Sequence, residues 1–552
     1  MHHTLLLCLG LLLAICLLFT LSQRLRVPYP ILLVLAGLAI SFIPGLPLLE
    51  VEPDLIFLIF LPPLLYEAAW FTSWKDFWKW RRIISFLAFG LVFLTSGIVA
   101  YVSWAVIPGF TLALGFLLGG IVSPPDALAA TSVMRDMSLP RRITAILEGE
   151  SLVNDASSLI VFRFALAAIL SGSFVWQQAA GSFLLVTLLG IAVGLAVGVV
   201  FYTIHRWLPT TPSTHTVLTL VTPYVMYVTA ETWHVSGVMA VVSGGLFMSY
   251  HSSRIFSPIN RRQGISTWTT VGFVLNGAVF MLIGLELPVI TGALGGYSKL
   301  EAVGYGLLIS AVVIITRLVV GMLGSPFSHW ISRFIEVSDA NPGWRGPLVV
   351  GYAGMRGVVS LAAALSIPLV GNNGQPFPER NLILFITFVV ILVTLVGQGL
   401  TLPLLIRWIG VEDRDNLRPE HEQRNTARHH LTTVALTRLR ALYQPHQRNH
   451  NGLLDTLQKK LEKDLYLITH QMQPVDHPHI ERQVTEYQRI YTELLHAQRE
   501  ELRRLRGQEE YNDELIRHLE AHLDLEEEKL TLFVEAQHQP TPQTLHEQQH
   551  NT

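Results

Sequence analysis

Gly120-Ile121-Val122-Ser123-Pro124-Pro125-Asp126-Ala127-Leu128-Ala129 lies inside an otherwise apolar run from 111 to 134. A run of that length is close to the ~20 residues that cross a bilayer as a helix. Prolines donate no backbone hydrogen bond, so Pro124 and Pro125 leave the carbonyls of Gly120 and Ile121, four residues earlier, without helical partners near mid-membrane. Irregular backbone at that depth is tolerated where it is buried in protein or lines a wet cavity. Taken alone, the segment reads equally well as a plain proline kink. A distant run, 346–369, is broken in its turn by Gly351-Tyr352-Ala353-Gly354-Met355-Arg356-Gly357.

Working outward, apolar runs recur at about 5–21, 29–49, 54–71, 83–107, 111–134, 143–170, 181–204, 216–231, 235–250, 268–290, 301–323, 346–369 and 381–407, thirteen candidate spans. Thirteen divides into six, one and six, and the odd linker span inverts the second six relative to the first. The two broken runs are the fifth and the twelfth, which correspond in such an arrangement, as in transporters built on inverted repeats. If the first span enters from outside, the loops after odd spans carry fifteen Lys and Arg, among them Lys75, Lys79, Arg81, Arg82, Arg141, Arg142, Arg261 and Arg262. The opposite loops carry two, Lys299 and Arg380. This bias places the N-terminus outside and the tail in the cytoplasm. The expected fold is therefore an all-α polytopic membrane protein, with about thirteen transmembrane helices in two inverted-topology repeats over residues 1–410 and a helical cytoplasmic tail over 411–552.

Composition agrees with that division. Of 552 residues, 51% are hydrophobic and 14% charged, against about 25% charged in ordinary soluble domains. Residues 1–410 hold 21 Lys+Arg and 16 Asp+Glu, and the shorter tail holds 18 and 25. A single soluble domain, a secreted disulfide scaffold and a disordered chain are all excluded. The net charge of −2 gives no case for a nucleic-acid partner. Both cysteines, Cys8 and Cys16, sit in the first run, which lacks the positive n-region of a signal peptide and reads as a retained span.

Ionisable groups inside a membrane are costly and are functional candidates by default. Here they are Glu67, Asp126, Glu148, Glu150, Asp155, Arg163, Glu286, Arg317 and Arg356. The densest group is Leu147-Glu148-Gly149-Glu150-Ser151-Leu152-Val153-Asn154-Asp155-Ala156. On a helix Ser151 stacks with Asp155, and Glu150 with Asn154, on neighbouring stripes. A carboxylate, a hydroxyl and an amide are hard oxygen donors suited to an alkali cation, unlike the His/Cys sets of zinc sites. Asp126, beside the broken fifth span, could add a further carboxylate or carbonyl oxygens. Glu148 reads as solvated at the cytoplasmic end. Arg356 must be compensated, and Glu150 is the chosen partner, tying the sixth span to the twelfth. Arg163, about 12 Å beyond Asp155, is expected to snorkel or to meet an acid on another span. Arg317 and Glu286 stay unassigned between an ion pair and a dimer interface. Seven of the 21 histidines fall in the membrane part, mainly at span ends, and His234 is expected to be interfacial.

At these residues the chain resembles the monovalent cation:proton antiporter family 1. The matches are Leu61-Pro62-Pro63-Leu64-Leu65-Tyr66-Glu67, Asp126-Ala127-Leu128-Ala129, Gly149-Glu150-Ser151-Leu152-Val153-Asn154-Asp155-Ala156 and Gly354-Met355-Arg356-Gly357, in this order. The resemblance spans about 5–408. It implies a homodimer among membrane lipids, each protomer with a dimerisation domain and a six-helix core in which two unwound helices cross at Ser123, Pro124, Pro125, Gly354 and Gly357. It further implies that Asp155 takes either Na+ or the proton, that Ser151, Asp126 and Glu67 help coordinate the ion, that Asn154 holds the unwound segment, and that Glu150 and Arg356 form a structural bridge. The Asn154-Asp155 pair resembles the electroneutral branch, which exchanges one proton for one cation. One departure stands out: where the family often reads Thr-Asp-Pro, this chain has Pro125-Asp126-Ala127, so ion preference is open among Na+, K+ and Li+.

The implied function is secondary exchange of Na+ (or K+ or Li+) for H+ by alternating access, serving pH and sodium homeostasis in a bacterial inner membrane. No enzyme activity, cofactor or nucleotide is expected; the sequence holds neither a Walker A pattern nor a Gly-rich dinucleotide loop. The rival readings are K+/H+ antiport, an organic-anion transporter of the same fold, a cation channel, and an intramembrane hydrolase using Ser151 with Asp155 or His234. In the tail, Leu494, Leu495, Leu502, Leu505, Leu515, Leu519 and Leu523 recur at helical spacing. They predict two or three amphipathic helices with a short coiled coil at about 480–535, and a disordered end from Gln537 to Thr552. The tail holds fourteen histidines, which makes it a candidate pH sensor.

Overall fold

The structure, a computed structural model, is described for the whole chain except residues 1, 26, 43–52, 135–136, 138, 173–175, 209–210, 293, 295–296, 332–342, 372–374, 412–419, 443–451, 472–477, 507, 509–512 and 536–552. It divides into two units, Met1–Asp413 and Arg414–Thr552. Among the described residues both are helical and neither contains a β-strand.

The first unit runs through α1 (His2–Leu25), α2 (Tyr29–Ser41), α3 (Pro53–Phe71), α4 (Trp74–Ser85), α5 (Val92–Val106), α6 (Leu112–Val122), α7 (Ala127–Met134), α8 (Arg141–Ser171) and α9 (Trp176–Trp207). It continues with α10 (Pro212–Thr232), α11 (Gly237–Ile255), α12 (Pro258–Leu285), α13 (Leu287–Gly292), α14 (Lys299–Ile331), α15 (Arg345–Tyr352), α16 (Val358–Leu365), α17 (Arg380–Leu392) and α18 (Gly399–Ile409). Wide π-helical turns, Phe86–Leu91 and Val393–Gln398, join α4 to α5 and α17 to α18. Within the described residues, the thirteen apolar runs fall on single helices or on consecutive helix pieces, the end of the second run, 43–49, lying outside them. Among the described residues, seven of these stretches are long and apolar enough, by length and composition, to cross a membrane.

Local chemistry sets the helix ends. Ser73, Thr111, Thr211, Ser236 and Ser257 each accept the backbone N–H three residues on, capping α4, α6, α10, α11 and α12. Between apolar helices the driving force is close packing, which small residues permit. Gly190, Gly194 and Gly198, four residues apart on α9, lie against Ser236, the cap of α11, and against Ala240 and Gly244 within α11. A Cβ on Gly194 would collide with the Ala240 carbonyl. Gly115 and Gly119 do the same for α6, where a Cβ would come within 2.6 Å of the Ala100 and Ser96 carbonyl oxygens of α5.

Two spans are broken at mid-length. The fifth is split into α6 and α7 by Ser123–Asp126, and the twelfth into α15 and α16 by Ala353–Gly357. The two breaks meet: the Asp126 N–H donates to the Met355 carbonyl at 2.6 Å. The long helix α8 packs against both α6 and α7.

The second unit holds α19 (Glu420–Leu442), α20 (Gly452–Gln471), α21 (Pro478–Arg506) and α22 (Asp513–Glu535), four helices where two or three were expected. They pack as two successive pairs, α19 with α20 and α21 with α22. Leu495, Leu502 and Ile516 are buried, while Leu494, Leu515 and Leu519 of the predicted stripe are exposed. Arg499 reaches Asp524 at 2.6 Å and also Glu527, and the Tyr491 hydroxyl donates to Glu526 at 3.2 Å. The segment from Gln537 to Thr552 lies outside the described residues.

Candidate cation and proton site at the crossing of two broken helices

Each break exposes the polar ends of two half-helices, and the crossing satisfies them in pairs. Where α6 and α15 end, carbonyls are left without N–H partners. Arg356, 1% exposed, answers them: Nε donates to Val122 O at 2.9 Å, Nη2 to Ser123 O at 3.3 Å, and Nη1 to Gly354 O. Where α7 and α16 begin, N–H groups are left over, and Asp126 takes them. Its Oδ1 accepts from Leu128 N–H at 2.8 Å, and its carboxylate also meets the backbone N–H of Ala129 and Val358. A cation thus sits at two helix C-termini and an anion at two N-termini, the favourable sign in each case. Gly357 makes this possible, because a Cβ there would overlap the Asp126 carboxylate.

The helix α8 serves the same break with two neutral groups. Asn154 Nδ2 donates to Pro125 O at 3.0 Å, and Ser151 Oγ accepts the Ala127 N–H at 3.2 Å. The Arg356 N–H is held in turn by Thr394 Oγ1 at 3.1 Å, and Gln398 Nε2 donates to Tyr352 O at 2.9 Å. Both come from the π turn Val393–Gln398, so the widened turn aims two polar side chains at the twelfth-span break. Neither had been singled out in the sequence, where a lone Thr and a lone Gln in an apolar run carry no signal.

The expected bridge between Glu150 and Arg356 is not the one formed. Glu150 is held by Arg317 of α14, in a fork of 2.5 Å (Nη1 to Oε1) and 2.8 Å (Nη2 to Oε2), with the two side chains 0% and 2% exposed. Arg356 has its donors committed to carbonyls freed by the breaks, whereas Arg317 presents two parallel N–H groups to both carboxylate oxygens. Gly354 leaves the space for the Arg317 stem. Arg317, unassigned from the sequence, is the partner. Arg163 pairs with Glu231 of α10 at 2.8 Å in a half-exposed contact. His234 is exposed, with φ of 54°, just beyond α10. Two histidines passed over in the sequence, His205 and His215, meet in the buried contact between α9 and α10, their Nδ1 atoms 2.8 Å apart.

With these groups matched, one nine-tenths buried carboxylate is left among the described residues. The Asp155 side chain belongs to a residue 7% exposed, and its carboxylate receives no hydrogen bond or ion pair among the described residues. It stands near the middle of α8, in the wall of a cavity of about 220 Å³ that is also lined by Glu67, Asp126, Ser151, Glu148 and Asn276. Glu67 projects from α3, and Gly272 of α12 leaves room for its carboxylate. Glu148 is half-buried in this wall, where the sequence had placed it in open solvent. The cavity brings together Asp155, Asp126, Ser151 and Glu67. Asn154 faces the break, with its Oδ1 buried and without a hydrogen bond among the described residues. Oxygen donors around an unpaired buried carboxylate can hold either an alkali cation or a proton.

The chain is similar to several known proteins. A sodium, potassium, lithium and rubidium/H+ antiporter of Bacillus subtilis is 36% identical over 392 residues, 69% of this chain; the matched part is 58% of that relative's length. An uncharacterized Na+/H+ exchanger of Mycobacterium tuberculosis is 31% identical over 521 residues, covering 92% of this chain and 93% of its own. The sodium proton antiporter MjNhaP1 from Methanocaldococcus jannaschii shares the fold, with a TM-score of 0.56 over 74% of this chain and 100% of that one at 19% identity. The family model described as sodium/hydrogen exchanger, transmembrane, matches residues 10–408. With that match over most of the chain, and the broken-helix crossing and unpaired Asp155 within it, the chain belongs to the sodium/hydrogen exchanger family.

Proposed function

We propose that this chain exchanges a monovalent alkali cation, Na+ with K+ and Li+ as the alternatives, for H+ across a membrane, with Asp155 as the shared carrier site. The observation that carries the reading is the one carboxylate that, among the described residues, is nine-tenths buried and unpaired, in an acidic cavity beside a crossing whose other charges are matched. Protonated, Asp155 is neutral and cannot hold a cation. Ionised, it needs one, because an uncompensated charge at that depth is costly. The proton-loaded and cation-loaded forms can therefore pass between inward-facing and outward-facing states, while the empty charged form is hindered. Exchange follows without ATP.

Ser151, Glu67 and Asp126 supply further oxygens to the ion; Asp126 does so while also capping two half-helices. Asn154 presents an amide where a second acid would add another titrating group, which supports a one-for-one, electroneutral exchange. Thirteen crossings with the N-terminus outside and the tail inside follow from the loop charges. On that topology the cavity opens inward, because its lining reaches Glu148, two turns nearer than Asp155 to the Arg141 end of α8. A homodimer in a bacterial inner membrane completes the reading. An organic-anion substrate is disfavoured by four carboxylates in one cavity.

The test is cation-induced proton movement in proteoliposomes under an imposed pH gradient, with Na+, K+ and Li+ compared, membrane voltage clamped or varied, and Asp155→Ala alongside. Proton flux that needs a cation, ignores voltage and vanishes in the variant is the expected result. Flux that survives the substitution moves the site away from Asp155, and flux of cation without protons makes the chain a channel.

A further inference from the structure

Glu148 and Asp155 are seven residues apart on α8, two helical turns, or about 10 Å along the axis. Both line the same cavity. Glu148 has no hydrogen bond or ion pair among the described residues, and the charge that acts on it is another carboxylate, Asp76 in the first turn of α4. Close packing enforces the juxtaposition: a Cβ on Gly149 would strike Ile84 and crowd Phe77, so α8 rests directly on α4 beside Asp76. A half-buried carboxylate with no partner and a like charge for a neighbour returns nothing to the fold. The same cavity holds a second, independent sign of a cationic ligand, the nine-tenths buried and unpartnered Asp155. A cleft walled by one sign of charge concentrates the opposite ion.

We propose that Glu148 is a vestibule acid, on which an incoming alkali cation is held, partly hydrated, before it passes two helical turns deeper to Asp155. Glu148 therefore sets the apparent cation affinity on the face to which the cavity opens, and Asp76 deepens its field. The proposal rests on the exchange reading above. Glu67, on α3, lines the same cavity and adds a further carboxylate along the ion's way. One charge acting over about 10 Å through a partly aqueous cavity changes local cation concentration about two- to fourfold. Glu148 acts on capture and leaves the conformational step alone, so the effect belongs in KM.

The experiment measures Na+-dependent proton flux in everted and in right-side-out vesicles, so that each face is titrated separately, for wild type, Glu148→Gln, Glu148→Asp and Asp76→Asn. Glu148→Gln is expected to raise KM for Na+ about two- to fourfold at one face only, with kcat kept. Raising ionic strength with choline chloride should shrink the difference, Glu148→Asp should restore the wild-type KM, and Asp76→Asn should shift KM in the same direction by less. An unchanged KM at both faces, or a lower kcat at constant KM, overturns the proposal. If Glu148→Gln does not reach the membrane folded, Asp76→Asn alone carries the test, and its unchanged KM is the overturning result. Absence of cation-driven proton flux in wild type would instead sink the underlying exchange reading, so the two failures are distinguishable.

Discussion

Breaking the Arg317–Glu150 fork is the most discriminating perturbation of this structure. Both side chains are essentially unexposed, and the fork is their shared compensation at 2.5 and 2.8 Å. Removing one member leaves the other charge buried and unpaired, at a cost of about 3 to 5 kcal/mol. Replacing both with neutral side chains leaves no buried charge, which costs much less. In a cycle of Glu150→Gln and Arg317→Met, the double variant should therefore be more stable than the sum of the single effects by about 2 to 3 kcal/mol. A parallel cycle of Glu150→Gln with Arg356→Met should show less than half that coupling, because Arg356 spends its donors on Val122, Ser123 and Gly354 carbonyls. The assay is thermal unfolding of the detergent-purified protein, followed by size-exclusion recovery after heating, for all five variants and wild type. Additive effects for Glu150 with Arg317, or stronger coupling with Arg356, would refute the pairing and return Arg356 to the role expected from the sequence.

Other consequences follow from single contacts. Asn154→Ala removes the donor to Pro125 O at 3.0 Å and leaves that carbonyl unanswered. It should cost about 1 to 3 kcal/mol of stability and cut exchange rate more than cation KM, as unfolding scans and flux assays will register. Gly272→Val places a side chain on the Glu67 carboxylate. Glu67 is long enough to swing aside, so the protein should fold while its cation affinity falls, and an unaltered KM would argue against a part for Glu67 in the cavity. Gly194→Leu meets the Ala240 backbone carbonyl, which cannot move away. Loss of yield and of thermal stability is expected, with near-wild-type behaviour arguing against the α9–α11 packing. Deleting residues 420–552 should shift the pH profile of exchange if the tail histidines act as sensors; an identical profile would remove the tail from pH regulation.

Several of these contacts could not have been read in advance. Arg317 and Glu150 are 167 positions apart. That they meet depends on how α8 and α14 are rotated about their own axes, and hydropathy says which residues prefer protein to lipid without saying which of two buried arginines faces a given acid. Glu148 was misplaced for a related reason. Its nearness to the end of α8 predicts solvent, but α3 and α4 pack over that end and turn the position into a cavity wall. The tail stripe was legible as helix and misleading as an interface, since Leu494, Leu515 and Leu519 are exposed while Ile516 is buried.

What the amino-acid sequence determined by itself is local in origin. Apolar length marks the spans, the Pro124-Pro125 and Gly354–Gly357 breakers mark where two of them must unwind, and the expense of charge in lipid singles out Asp155 among few candidates. These follow from transfer free energies and backbone sterics, which need no knowledge of neighbours. Only the tertiary structure decided that the two breaks touch, that Asp126 and Arg356 neutralise opposite helix ends, that Glu150 belongs to Arg317, and that Asp155 remains unpaired in an acidic cavity. Each of those outcomes is a competition among partners brought together from distant segments, and packing decides it.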